Sequence, residues 1–276
     1  MLGIRSLTVI RPRACLTITR SYAAQTPAKK ANKPDNDISQ IPLNQIFVLT
    51  DYYIPPKFKD CPISSWPKLF IRKLGTMAFS TYSVFRYKMD TKRPIKFNLW
   101  KDKGIENFVR VNKSFANACS KKVKERSTFL NSQLSEVAAV PVISSLAERA
   151  ATFPAGGRTS WELISIEGNP KIVNVLAIPD KMEVTCYVQM VMKLSTKQKF
   201  TVKLPEKNIT EEKVLTDYLV FTVHPFTDEV MLSGKLFESD HLRKITPELA
   251  ADDMNVMKAF MKATSDIYRT NPRAKE

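Results

Sequence analysis

The hydrophobic period of this chain changes once, at Gly156-Gly157, and that change limits what it can fold into. Before it, apolar residues recur every three to four positions; after it, they alternate. Trp66 to Tyr87 puts Trp66, Phe70, Leu74, Met77, Val84 and Phe85 on one arc of a helix, with Lys68, Arg72 and Arg86 opposite. A second helix fits Leu99 to about Ala118, where Ile105, Phe108, Val109, Asn112 and Phe115 share a face. Further helix lies between Ser127 and Ala151, interrupted near Pro141, whose ring does not fit a helix interior.

Beyond the glycines, Trp161 to Ile166 and Lys171 to Ile178 read as strands parted by a Gly168-Asn169-Pro170 turn. Val184, Cys186, Val188, Met190 and Met192 alternate with more polar neighbours, and so do Phe200, Val202 and Leu204, which predicts a hairpin through Ser195 to Gln198. Val214 to Val223 and Glu229 to Phe237 complete an antiparallel sheet. Thr246 as cap and Pro247 as first helical residue open a last helix that runs to about Tyr268, with Met254, Met257 and Met261 inward. Helices first, strands next and one helix last give an α+β fold, with N-terminal helices packed on one face of a curved antiparallel sheet.

The N-terminal segment is of another kind. The first acidic residue is Asp35, and Arg5, Arg11, Arg13 and Arg20 precede it among aliphatic and hydroxyl residues. That is the composition of a mitochondrial transit peptide, whereas Arg11-Pro12-Arg13 breaks the apolar run that a secretory signal needs. Arg20-Ser21-Tyr22-Ala23 fits a matrix-peptidase site, with the cut between Tyr22 and Ala23. Residues 23–45 read as a flexible linker and 46–276 as the folded domain, its basic helical part at about 57–151 and its sheet part at about 158–276. No stretch reaches the roughly 20 apolar residues that span a bilayer, so any membrane attachment is expected to be peripheral.

Charge sharpens the division. Residues 57–126 hold 18 lysines and arginines against 5 acids, whereas residues 127–276 hold 18 against 19. A merely solvated face mixes both signs, as the sheet half does; the one-signed helical half reads as a surface for a polyanion, nucleic acid or anionic lipid. The candidates for phosphate contact are Arg72, Arg86, Lys88, Lys92, Arg93, Lys96, Lys101, Lys103, Lys121, Lys122, Lys124 and Arg126. The apolar arc of the Trp66–Tyr87 helix reads first as core; the competing reading sets it in a lipid interface, with Trp66 and Phe70 as membrane contacts.

Catalytic chemistry is not indicated. The four cysteines include no CxxC pair, there are two histidines, and no phosphate loop, GxGxxG or GxSxG occurs. His224, before Pro225 at a strand end, reads as structural, and Glu211-Glu212 and Asp252-Asp253 as solvated charge. No metal and no cofactor is expected.

Several tracts carry a family resemblance. Arg93-Pro94-Ile95-Lys96-Phe97-Asn98-Leu99-Trp100-Lys101-Asp102-Lys103 leads on to Val111-Asn112-Lys113-Ser114-Phe115-Ala116. With Trp161-Glu162-Leu163-Ile164, Gly234-Lys235-Leu236-Phe237-Glu238-Ser239 and Asp266-Ile267-Tyr268-Arg269, these resemble the fungal mitochondrial inner-membrane ribosome receptors. The resemblance implies a cystatin-like or NTF-like fold and a peripheral protein on the matrix side of the inner membrane. Its implied partners are the mitoribosomal large subunit near the tunnel exit, the inner-membrane insertase and anionic lipid. It supplies no catalytic residue. The alternatives are an import-motor anchor, and a lipid or coenzyme carrier that uses the sheet as a pocket.

Overall fold

The structure, a computed structural model, describes residues 37–155, 157–203, 208–247 and 253–272; the expected cleavage site Tyr22-Ala23 and Gly156 lie outside them. Four helices come first: α1 (Trp66–Thr91), α2 (Phe97–Cys119), α3 (Val123–Leu134) and α4 (Val140–Ala151). Pro141 sits in the first turn of α4, where its missing N–H has no helical partner to lose. The strands β1 (Arg158–Ile166), β2 (Lys171–Pro179), β3 (Thr185–Lys203), β4 (Asn208–Val223) and β5 (Val230–Leu236) follow, then α5 (Met254–Ser265). This is the α+β order expected, and the sheet is antiparallel throughout.

The Gly168-Asn169-Pro170 turn parts β1 from β2 as expected, and the two strands lie one after the other along the same side of β3. Gly168 takes φ 75, and Glu167 N still donates to the Ser195 carbonyl at 2.8 Å, so the turn is a kink in one long path. The hairpin expected at Ser195 to Gln198 is absent: β3 runs unbroken for 19 residues, roughly 60 Å. That tetrapeptide has no Gly, Pro or Asn to turn on, and Leu194, Thr196 and Gln198 keep the inward alternation going.

Each face of the sheet is covered. On one, Met190, Met192, Leu219 and Phe221 pack under α2 and α4 with Trp100, Phe108, Phe115 and Leu146. Gly104 permits the close approach: a Cβ there would stand 3.3 Å from the Phe221 ring. On the other face, Val191 and Val220 meet Val48, Tyr52 and Ile54 of the segment before α1. Gln189, fully buried, fastens this segment: Oε1 accepts from Tyr52 Oη (2.7 Å) and Leu49 N (3.2 Å), and Nε2 donates to the Phe47 carbonyl (2.6 Å). Leu43 and Ile46 are also buried, against Ile178 and Tyr187, so the expected linker of residues 23–45 ends earlier than its polar composition suggested.

The last helix is shorter than expected, and its cap is Asp253, whose Oδ1 accepts from Asn255 N (2.8 Å) and Val256 N (3.3 Å). Met254 faces out at 67% exposure, Met257 and Met261 are half-buried, and Phe260 provides the contact with the sheet.

Candidate nucleic-acid interface

Three of the expected phosphate ligands are engaged by the protein's own carbonyls. Arg126 is buried and donates to five carbonyls: Nε to Lys121 (2.9 Å), Nη1 to Ala150 (2.6 Å) and Phe153 (2.8 Å), Nη2 to Cys119 (3.0 Å) and Pro154 (3.3 Å). It ties the ends of α2 and α4 together through the start of α3. Arg72 donates to the carbonyls of His241 and Leu242, and Arg86 donates to that of Glu183 at 2.7 Å beside Asp90. A guanidinium carries five N–H donors, and at these positions loop carbonyls take them up.

The candidates at the start of α2 form a node on the β4–β5 turn. Lys96 Nζ reaches Asp228 Oδ2 at 2.6 Å, Trp100 Nε1 donates to Oδ1 at 2.9 Å, and Lys103 Nζ donates to the Asp228 carbonyl at 2.7 Å. Arg93 donates to the Phe226 carbonyl (3.0 Å) with its guanidinium over the Phe226 ring. Burial pushes the Asp228 carboxyl up, but the bonds from Lys96 and Trp100 outweigh it and hold the group below its usual range. His224 Nδ1 accepts from Phe226 N and Thr227 N within the same turn, the structural role read from the sequence.

What remains free is smaller and better placed. Lys88, Lys92 and Lys101 carry no ion pair among the described residues; Lys92 is the left-handed cap of α1, at φ 55, which turns it outward. Lys121, Lys122 and Lys124 are exposed at the turn into α3, with Lys121 Nζ 4.5 Å over the Phe129 ring. The two groups mark opposite ends of α2, a helix of 23 residues and so roughly 33 Å. Arg110 and Lys113, exposed on the outward face of α2 between them, escaped notice because they sit among core residues in sequence; their spacing of three from one another was the available signal. Fixed cations spaced in this way suit a phosphate backbone, which is recognised by charge without base readout.

Helix α1 overturns the core reading of its apolar arc except at Val84, which is half-buried against the core. Trp66, Phe70, Ile71, Leu74, Met77, Phe85 and Met89 are between 41% and 66% exposed, while the side turned inward carries Leu69, Thr76, Ser83, Tyr87 and Thr91. The reason is what α1 packs against: the open edge of β2, where Val175 N donates to Ser80 Oγ (3.2 Å) and Ser80 Oγ to Asn174 Oδ1 (3.2 Å). A strand edge presents polar backbone, and it selects the polar side of the helix. Trp66 Nε1 donates to the Phe58 carbonyl at 3.0 Å, fixing the ring at the head of this face.

The whole folded part aligns with known proteins. A family model described as "MBA1-like protein" matches residues 32–273. The chain belongs to the MBA1-like family. A relative from Saccharomyces cerevisiae, named as the mitochondrial "Inner membrane mitoribosome receptor MBA1", is 28% identical over 257 residues, 90% of this chain and 87% of its own length. In this MBA1-like chain, no group of three His, Cys, Asp or Glu side chains among the described residues could hold a metal ion, and no described helix is long and apolar enough to cross a membrane. Burial raises the Cys119 and Cys186 thiols to about 11, far from thiolate reactivity. The clefts among the described residues include one of about 410 Å³ between α1 and β2 beside Tyr52, Phe79 and Leu176, and one of about 810 Å³ lined by Phe115, Trp161, Phe200 and Tyr268.

Proposed function

We propose that this chain is a mitoribosome receptor of the mitochondrial inner membrane, without catalytic activity, that docks the large subunit near its tunnel exit beside the insertion machinery. The alignment of nine-tenths of the chain with the yeast receptor carries this reading. The free cations at both ends of α2 give it a physical basis, since neutralising phosphates releases condensed counterions. In this reading residues 1–22 are removed on import, anionic inner-membrane lipid is a second partner, and attachment to the membrane is peripheral. N-terminal sequencing of the mitochondrial protein is expected to begin at Ala23, and carbonate is expected to release the protein from the membrane.

Co-sedimentation with purified large subunits across a salt series tests the docking step. Reversal of Lys88, Lys92 and Lys101, or of Lys121, Lys122 and Lys124, should lower both affinity and the logarithmic salt slope, by about 0.7–0.9 for each phosphate that is no longer neutralised. Reversal of Lys197, Lys199 and Lys203 on the charge-balanced sheet should do much less. Equal losses from all three sets would remove α2 as the docking face, and no loss in any set would end the electrostatic reading.

A further inference from the structure

We propose that the outward face of α1 is an in-plane membrane anchor that seats the chain on a bilayer containing anionic lipid. The inference rests on the receptor reading and names the surface for its membrane side. Across 26 residues, roughly 38 Å of helix, one flank stays apolar from Trp66 and Phe70 through Leu74 and Met77 to Phe85 and Met89. A soluble protein rarely leaves a strip of that length uncovered. Rotation cannot bury it, because the opposite flank is bonded in place: Arg72 to the carbonyls of His241 and Leu242, Ser80 to Asn174 and Val175 N, and Arg86 to the Glu183 carbonyl.

Charge selects the occupant. The helix holds five basic residues, Lys68, Arg72, Lys73, Arg86 and Lys88, and one acid. That acid, Asp90, is turned in to accept from Thr185 N (3.1 Å) and Thr185 Oγ1 (2.6 Å). Lys68 and Lys73 stay exposed on either side of its first half, so the strip there is edged by cations with no carboxylate of its own helix on the outside. An apolar strip with a one-signed cationic edge matches acyl chains below and anionic head groups around, whereas a protein partner would meet unbalanced charge at that edge. Trp66, with its N–H held by the chain and its ring exposed, is suited to the interfacial layer.

The chain supplies its own reporter. Of three tryptophans, Trp100 and Trp161 are buried and Trp66 is not. On phosphatidylcholine vesicles containing cardiolipin, the full chain should float with the lipid, and brominated acyl chains should quench its fluorescence; Trp66→Phe should abolish the quenching. The triple variant Phe70→Ser, Leu74→Ser, Phe85→Ser should float at least about tenfold less, given the area each side chain removes from water, yet bind large subunits as before. Vesicles without cardiolipin should bind more weakly. All three substituted residues are exposed, and near-ultraviolet circular dichroism checks that the fold persists. Unquenched Trp66, or flotation unchanged in the triple variant, would overturn the proposal. So would a triple variant that floats but loses large subunits, which gives the face to the ribosome, or one that loses only a concentration-dependent dimer, which gives it to a second copy. Flotation by a wild-type chain that binds no large subunit would sink the receptor reading and leave the anchor standing.

Discussion

Helices α1 and α2 follow one another, both basic and both amphipathic in sequence, yet they bury opposite kinds of surface. Helix α2 lies on a sheet face and turns Trp100, Phe108, Val111 and Phe115 into it. Helix α1 lies along a sheet edge and turns Thr76, Ser80 and Ser83 toward it, leaving its apolar arc outside. Periodicity tells that a helix has two sides; the partner decides which side goes in. A strand face offers apolar side chains, and a strand edge offers unpaired N–H and C=O groups that must be satisfied.

The contrast makes quantitative demands. The largest effect should come from α2: Trp100→Ala removes a fully buried ring in edge contact with Tyr87 and Phe97 and should cost about 3–5 kcal/mol, read as a lower urea midpoint at constant slope. Next is Arg126→Met, which leaves the carbonyls of Cys119, Ala150 and Phe153 without their donor; a loss of about 3 kcal/mol is expected, against almost nothing for Lys124→Ala on the same helix.

Asp228→Asn should cost about 1 kcal/mol near neutrality, since it weakens the bonds from Lys96 and Trp100. Its pH dependence has a definite sign. The folded carboxyl titrates below its unfolded value, so its stabilisation is complete above the ordinary carboxylate range and fades as pH falls through the folded value. Urea midpoints of wild type and variant should therefore converge below about pH 4. The smallest effect should be on α1, where Phe85→Ser should move stability by no more than about 0.5 kcal/mol despite removing a phenyl ring. A loss of several kcal/mol there would mean the arc is core after all.

The helical half was legible because α2 and α4 obey both rules a sequence reveals, period and punctuation: an apolar stripe, and Pro141 in a first turn. The sheet was legible as strands but not as connections. Alternation runs through Ser195–Gln198 without a break, so a turn expected there divides in two a strand that the sheet keeps whole. Among the surface candidates, Arg72, Arg86 and Arg126 are indistinguishable in sequence from Lys88 or Lys122, but loop carbonyls take up their planar five-donor groups, as the Asp228 turn takes up Lys96 and Lys103. The polar segment before residue 46 misled for a different reason: Leu43 is buried against strands more than 130 residues later, a contact no local pattern records.

The stretch from Leu43 to Ile54 also sets an order of events. Its fastenings reach far along the chain, Tyr52 to Gln189 across 137 residues and Ile54 to Ser239 across 185, where Ser239 Oγ accepts from Ile54 N at 2.9 Å. Neither partner exists for a chain that has emerged only as far as its helices. These residues are thus among the last to be seated, and the β3–β5 core they cover must wait for them with one face bare. Such long-range closure is slow compared with helix formation. A chain threaded into its compartment from the N-terminus would hold this strap unfastened until almost all of it had arrived.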